Sequence, residues 1–209
     1  MRELRASLRF APDDSRAVGV LVEDGRRVWF EFAEPSATSL EISPYALPRS
    51  AGPLIEHRPK PGVPLPGVFA DARPDGWGLK LLHRVFQRAG RPSASVSPLD
   101  ELAYLGDRTM GALTFEPATG PSGELADAVA LGDLAEHARR VDDDEVTEVL
   151  PQLARAGASS GGARPKALIG LRSDGGPGVI LGEGALPEGW DAWLVKFPTS
   201  HDDPDVPTR

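Results

Sequence analysis

Two stretches near the start of the chain alternate apolar with other residues: Val18, Val20 and Val22, then Val28, Phe30 and Phe32. Alternation with a period of two is typical of a β-strand that buries one face. Asp24-Gly25 lies between the stretches, and an Asp-Gly pair is a strong signal for a tight hairpin turn. The pattern therefore predicts a β-hairpin, and residues 1–10 offer a third strand.

The next segment, residues 33–75, is rich in proline and is predicted to be irregular. Proline breaks the interior of a helix, so long helices are excluded there. Helical spacing begins after Asp75-Gly76 and places four residues on one face: Leu79, Leu82, Phe86 and Ala89. Gly90 then lies where a helix is expected to end.

Shorter elements are predicted further along the chain. Pro98–Leu105 has the pattern of a short helix, with Ser97 as its N-cap. Residues 112–115 are predicted to return as a strand. A Pro/Gly-rich break at residues 117–123 follows, and the main domain boundary is placed there.

The remainder of the chain is predicted to form helices and then strands. Apolar spacing indicates one helix over 131–141 and a second over 146–153. Three strands are predicted after them, at residues 167–172, 178–181 and 190–197. Together the elements predict an α+β fold with largely antiparallel strands.

The amino-acid composition excludes several classes of function. The net charge of -8 makes the chain a poor candidate for direct binding to nucleic acid. It has no cysteine, which excludes disulfides and thiolate metal sites. The four histidines lack any ligand spacing, so no metal site is predicted. Without an apolar run long enough for a membrane span or a signal peptide, the expected compartment is the cytoplasm.

The segment Ala158–Ala167 consists mainly of small residues and contains two cations, Arg164 and Lys166. Small residues allow the backbone to approach a ligand closely, and successive N–H groups can bind an anion. The segment matches neither G-x-x-x-x-G-K-[ST] nor G-x-G-x-x-G. A flexible connection between a helix and a strand has the same composition, so both interpretations stay open.

Lys196 lies among apolar residues on the last predicted strand, on the same face as Ala192 and Leu194. An ammonium there needs a partner or a path to water. A nucleotide phosphate is one such partner, and an edge-strand lysine that reaches water is the other explanation. The nearby Trp190 and Trp193, like Trp77, are interpreted as core anchors.

The N-lobe of a protein kinase has the same order of elements: a glycine-rich loop, a strand hairpin and then a lysine on the next strand. The chain further resembles the HipA-type serine/threonine kinases of bacterial toxin–antitoxin modules. Four parts of the chain carry this resemblance, in the family's order: Leu65–Asp71 with Pro74–Gly78, Leu105–Leu113, Gly161–Ala167 and Trp193–Pro198.

The resemblance implies a domain organisation and a set of site residues. It implies a HipA-like N-terminal subdomain at 1–118, a helical connector at 119–157 and a partial kinase-like N-lobe at 158–209. The implied ATP-contacting residues are the phosphate loop and the strand lysine: Gly161, Gly162, Ala163, Arg164, Pro165, Lys166 and Lys196. Ser159, or the adjacent Ser160, matches the family's autophosphorylation site. The implied cofactors are ATP and magnesium.

The chain departs from the family's pattern after Pro198, since only eleven residues follow it. In the family, the glutamate partner of the lysine, the catalytic aspartate with its asparagine, and the magnesium-binding aspartate come later. No catalytic residue is therefore assigned. We expect a kinase component that is inactive alone or part of a split kinase, with ATP bound more weakly than about 1 mM or not at all.

The resemblance also implies a partner, because the family's N-terminal subdomain helps to contact a helix-turn-helix antitoxin of the HipB type. A separate C-lobe chain is a second expected partner. Two rival hypotheses remain. One is a non-catalytic interaction module that binds such an antitoxin or a full-length kinase, and the other is a nucleotide-binding domain of unrelated ancestry.

Overall fold

The structure, a computed structural model, describes residues 1–11, 13–25, 27–35, 40–121, 130–145, 151–156, 162–181 and 186–199. The chain divides into two compact units. The first unit comprises Met1–Arg73 with Val96–Pro121, and the second comprises Pro74–Ser95 with Ser122–Arg209. Within the described ranges, no helix is both long and apolar enough to span a lipid bilayer.

The first unit is built on an antiparallel five-stranded sheet with the strand order β4-β3-β2-β1-β5. Its strands are β1 (Arg2–Ala11), β2 (Asp14–Asp24), β3 (Arg27–Phe32), β4 (Leu54–His57) and β5 (Leu113–Glu116). Its helices are the one-turn α1 (Gly67–Ala70) and α3 (Pro98–Leu105), and Arg49–Ala51 forms a 3-10 turn. The predicted hairpin, the strand before it and the strand near residue 113 are thus confirmed.

Aromatic side chains fill the core of the first unit. Phe30 from β3 lies 4.8 Å, ring centre to ring centre, from Phe69 in α1, and Phe69 lies 6.4 Å from Phe115 in β5. Gly19 interrupts the valines of β2 because a Cβ there would lie 2.7 Å from the Phe30 ring. The buried face of β2 carries Gly19 and Leu21, which pair with Phe32 and Phe30, and the short helices close this face. The alternating Val20 and Val22 lie on the opposite face of the sheet and are only half-buried, so the predicted valine face is not the core face of this strand.

Two polar features fix α3. Ser97 accepts a hydrogen bond from the Asp100 amide, and the Asp100 carboxylate accepts one from the Ser97 amide, which completes a capping box. The predicted N-cap is thus confirmed. Glu101 is buried in the first turn, where its carboxylate accepts a 2.6 Å hydrogen bond from Nε of Arg73. A buried carboxylate needs such a partner.

The second unit packs helices against an antiparallel three-stranded sheet with the order β7-β6-β8. Its helices are α2 (Gly76–Arg88), α4 (Leu131–Asp142) and α5 (Pro151–Ala156), with a 3-10 turn at Ser93–Ser95. Its strands are β6 (Lys166–Arg172), β7 (Val179–Leu181) and β8 (Trp190–Lys196). The three predicted strands are confirmed, whereas residues 146–150 of the second predicted helix lie outside the described residues.

Two further details of the predicted burial are wrong. The buried face of α2 includes Trp77 and Leu81 together with Leu82 and Phe86, whereas Ala89 is exposed, because the large indole determines which side of the helix packs. Trp193 is not a core anchor. It is 54% exposed, because β8 is an edge strand of its sheet.

The compact units differ from the predicted subdomains in one respect. By sequence α2 lies within the segment 1–118, but its contacts place it in the second unit. A subdomain shared by a family need not coincide with a compact unit, so the predicted boundaries at residues 118 and 157 stay predictions.

Candidate functional site

Two lysines lie directly opposite each other in the sheet of the second unit. The antiparallel pairing of β6 with β8 sets Lys166 against Lys196 and Leu168 against Leu194. Directly opposed residues of an antiparallel pair project from the same face, and residues two positions apart share that face. We call Lys166, Leu168, Ala192, Leu194 and Lys196 the lysine face. It sets two cations beside an apolar patch.

The two lysines differ in their exposure. Lys166 is only 3% exposed, whereas Lys196 is exposed. Burial lowers the pKa of Lys166 below its usual value, the Asp75 carboxylate partly offsets this effect, and the charge of Lys196 adds to it. Like charges directly opposite each other on neighbouring strands destabilise a sheet. An anion bound at Lys196 relieves this repulsion.

The glycine loop, of which the structure describes residues 162–166, contacts the site through the backbone N–H and carbonyl of Gly162. Its N–H donates a 2.7 Å hydrogen bond to Oδ1 of Asp75. Its carbonyl accepts one from Nζ of Lys166 at 2.8 Å and another from the backbone N–H of Trp77 at 3.1 Å. Gly162 has φ 103°, a backbone conformation that favours glycine. Both backbone polar groups of Gly162, in two successive peptide units, are therefore bonded to protein groups.

The segment Asp75–Trp77 contacts the described part of the loop at Gly162 and at Lys166. Gly76 has φ 41°, and a Cβ at this position would lie 2.6 Å from the Gly162 carbonyl oxygen. Trp77 is 1% exposed, and its indole Nε1 donates a 3.0 Å hydrogen bond to the carbonyl of Lys166. The start of α2 thus contacts both ends of the stretch from Gly162 to Lys166.

The structure brings together some of the predicted site residues. Gly162, Lys166 and Lys196 form one cluster, and the Pro165 carbonyl accepts a 2.8 Å hydrogen bond from the amide of Phe197 at the end of β8. Ala163 is exposed and Arg164 is partly buried. The predicted Gly161, Ser159 and Ser160 lie outside the described residues. Their assignments, like the phosphate-binding roles of the other loop residues, stay predictions.

Sequence reasoning missed Asp75 and Trp77 as parts of this cluster. An aspartate in a Pro/Gly loop, as Asp75 is, ordinarily caps backbone N–H groups near it in the chain. The structure shows that it does bond a backbone N–H, but one that is 87 residues away. The available signal was the Pro74–Gly78 segment, which the family resemblance had already marked.

The cluster has the chemistry that a nucleotide requires on one side. The exposed Lys196 ammonium suits a phosphate, and the apolar surface of Leu168 and Leu194 suits a flat base. The described residues offer fewer ligands to a metal ion. Across the described ranges, no three His, Cys, Asp or Glu side chains converge on a point where an ion could bind.

The fold and the cluster define a class of protein: an α+β chain in which a glycine loop adjoins two paired lysines on an antiparallel sheet. Residues 13–116, about half of the chain, match the family model of the HipA N-terminal domain. The chain thus belongs to the HipA-type toxin–antitoxin family through this domain, as its sequence resemblance predicted. No curated protein and no solved structure matches the chain.

Proposed function

We propose that the lysine face and the glycine loop form the phosphate-binding side of an ATP site, in a HipA-like kinase component of a toxin–antitoxin system. Lys196 contacts the phosphates, and Leu168 and Leu194 contact the base. The observation that supports this most directly is the register of β6 and β8, which pairs Lys196 with Lys166 next to Gly162. A purely structural sheet gains nothing from two opposed lysines.

The proposal predicts weak but localised binding. A single wall buries little of a nucleotide, so the dissociation constant is expected to exceed about 1 mM. Titration of the isotope-labelled chain with ATP and magnesium, followed by NMR, should shift amide signals in 162–168 and 192–196. Lys196→Ala should abolish these shifts, because it removes the only exposed cation of the lysine face among its described residues.

Lys60→Ala is the matched control, since Lys60 is an exposed lysine of the first unit. It removes the same charge and should leave the titration unchanged. Shifts spread over both units, or equal shifts in the two variants, contradict an ATP site at the lysine face.

Phosphoryl transfer needs groups beyond this site. The family's catalytic aspartate and metal ligands have no counterpart assigned among these 209 residues, so we propose that the chain alone transfers no phosphate. Incubation with labelled ATP and magnesium checks this, with a no-protein blank. Incorporation above the blank contradicts it. Ser159 and Ser160 are the proposed acceptors when a complete relative is coexpressed, and mass spectrometry can locate the phosphate.

A second candidate function is favoured by exposed apolar residues in the first unit. Tyr45 is 99% exposed, and Leu54 on the edge strand β4 is more than half exposed. Tyrosine is enriched at protein interfaces. We propose that this region binds a helix-turn-helix antitoxin of the HipB type. This partner is the one that the family implies.

Copurification with a candidate antitoxin tests this second function. Tyr45→Ala should weaken capture at least about tenfold if the tyrosine is an interface anchor. Phe10→Ala is a suitable control, since Phe10 is also more than half exposed in the first unit but lies on β1, whereas Tyr45 lies in a turn. Equal capture by both variants and the wild type places the interface elsewhere.

A further inference from the structure

Asp75 lies at the N-cap of α2, where an aspartate ordinarily bonds the amides of its own helix. Its side chain makes no such capping bond. Instead, its Oδ1 accepts the 2.7 Å hydrogen bond from the amide of Gly162. Helix capping therefore does not explain this residue, and its partner is the glycine loop.

The hydrogen bonds of Gly162 show what this contact does. Asp75 binds its N–H, and Trp77 and Lys166 bind its carbonyl. A residue whose backbone N–H and carbonyl are both hydrogen-bonded is an anchor for the loop, and its N–H is not available to a phosphate. The neighbouring Gly76 supports this arrangement, since any Cβ there would collide with the Gly162 carbonyl.

We propose that Asp75 is a positioning residue of the nucleotide site: it fixes the Gly162 end of the loop so that the loop and Lys196 can receive phosphates together. This inference rests on the function proposed above, and it assigns a role to a residue outside the loop and outside the lysine face. Asp75 contacts no nucleotide. It acts through the amide of Gly162.

Two substitutions separate the hydrogen bond from the charge. Asp75→Asn keeps an acceptor oxygen, whereas Asp75→Ala removes it. In the full chain, Asp75→Ala should weaken ATP binding about tenfold, and Asp75→Asn should stay within about threefold of the wild type. The Gly162 amide should exchange with deuterium about tenfold faster in Asp75→Ala, with partial restoration in Asp75→Asn. Asp133→Ala, which removes an exposed carboxylate from α4, should change neither measurement.

A steric pair tests the same idea without altering charge. Gly76→Ala should weaken ATP binding, because the new methyl group displaces the loop. Gly90→Ala is its control, because Gly90 also has a positive φ but a Cβ there meets nothing within 4 Å. It should bind ATP like the wild type.

The outcomes separate the two proposals. No ATP-dependent signal in the wild type overturns the nucleotide site and with it the role of Asp75. Binding that depends on Lys196 but is unchanged in Asp75→Ala and Gly76→Ala overturns the role of Asp75 alone. Tighter binding in both Asp75 variants also overturns it, since the carboxylate then acts as a competitor of the phosphate.

Discussion

The two sheets of the molecule use the same antiparallel pairing but bury their residues differently. In the first unit, the side chains of Leu21, Val28 and Phe30 are almost inaccessible. In the second unit, the edge strand β8 exposes Trp193 and leaves Leu194 44% exposed. Apolar residues exposed beside cations add little to stability, and such surfaces commonly bind ligands. The first sheet thus serves mainly the fold, and the second leaves its edge strand β8 accessible on both faces.

The sharpest test of this contrast compares one aromatic residue from each sheet. Phe30→Ala should lower the free energy of unfolding by about 3–5 kcal/mol, since it leaves a cavity in a filled core. Trp193→Ala should lower it by no more than about 2 kcal/mol, because half of that side chain is already in water. Urea unfolding followed by far-ultraviolet circular dichroism measures both. Equal losses would show that β8 is covered in solution.

A buried ion pair gives the next largest effect. Glu101→Ala should cost the first unit about 3 kcal/mol, since it removes the carboxylate that pairs with the poorly exposed Arg73 guanidinium. The matched control is Glu56→Ala, whose partner Arg58 is well exposed, and it should cost less than about 1 kcal/mol. The same urea experiment applies. A loss below 1 kcal/mol in Glu101→Ala would mean that water reaches this pair.

Hydrogen exchange compares the two sheets without any mutation. Amides that bond across β1 and β2 should exchange at least about tenfold more slowly than those that bond across β6 and β8. The reason is that β8 lies at an edge and much of its side-chain surface is exposed. Equal protection in a protein shown to be monomeric would contradict the proposed difference between the sheets.

The smallest predicted effect is on the pH dependence of the free energy of unfolding. Burial lowers the pKa of Lys166, so between that lowered value and the usual 10.5 the unfolded chain binds more protons than the folded protein. Stability from this lysine therefore rises as the pH rises through the window. Lys166→Met removes this contribution. The free energy of unfolding of the wild type, relative to that of the variant, should therefore increase towards alkaline pH. Lys60→Met is the control, and parallel stability curves for wild type and Lys166→Met would refute the sign.

Local signals were sufficient for much of the first unit. The Asp24-Gly25 turn and the flanking alternation specify the hairpin through neighbouring residues alone, and Ser97 caps its helix three residues away. The exposure of Trp193 could not be predicted in this way. It depends on the order of strands in the sheet, which places β8 at the edge among the strands that the structure describes.

Local sequence signals predicted even less of the candidate site. The sequence pointed to the glycine loop and to Lys196, because both belong to recognisable segments. That Lys166 faces Lys196 depends on the register of two strands, and that Asp75 holds Gly162 depends on a contact across 87 residues. Hydrogen bonds of this kind leave no periodic pattern in the sequence, so packing alone determines them.

The position of Trp77 gives the protein an internal optical reporter. Its indole is buried and bonded to the carbonyl of Lys166, at the end of the glycine loop, whereas Trp193 is in water on the strand of Lys196. A buried indole emits at shorter wavelength than an exposed one, and iodide quenches only the exposed one efficiently. Once the partly buried Trp29 and Trp190 are replaced by phenylalanine, fluorescence with added iodide can therefore follow the loop through Trp77 while the signal of the half-exposed Trp193 is suppressed. No label has to be attached near the site.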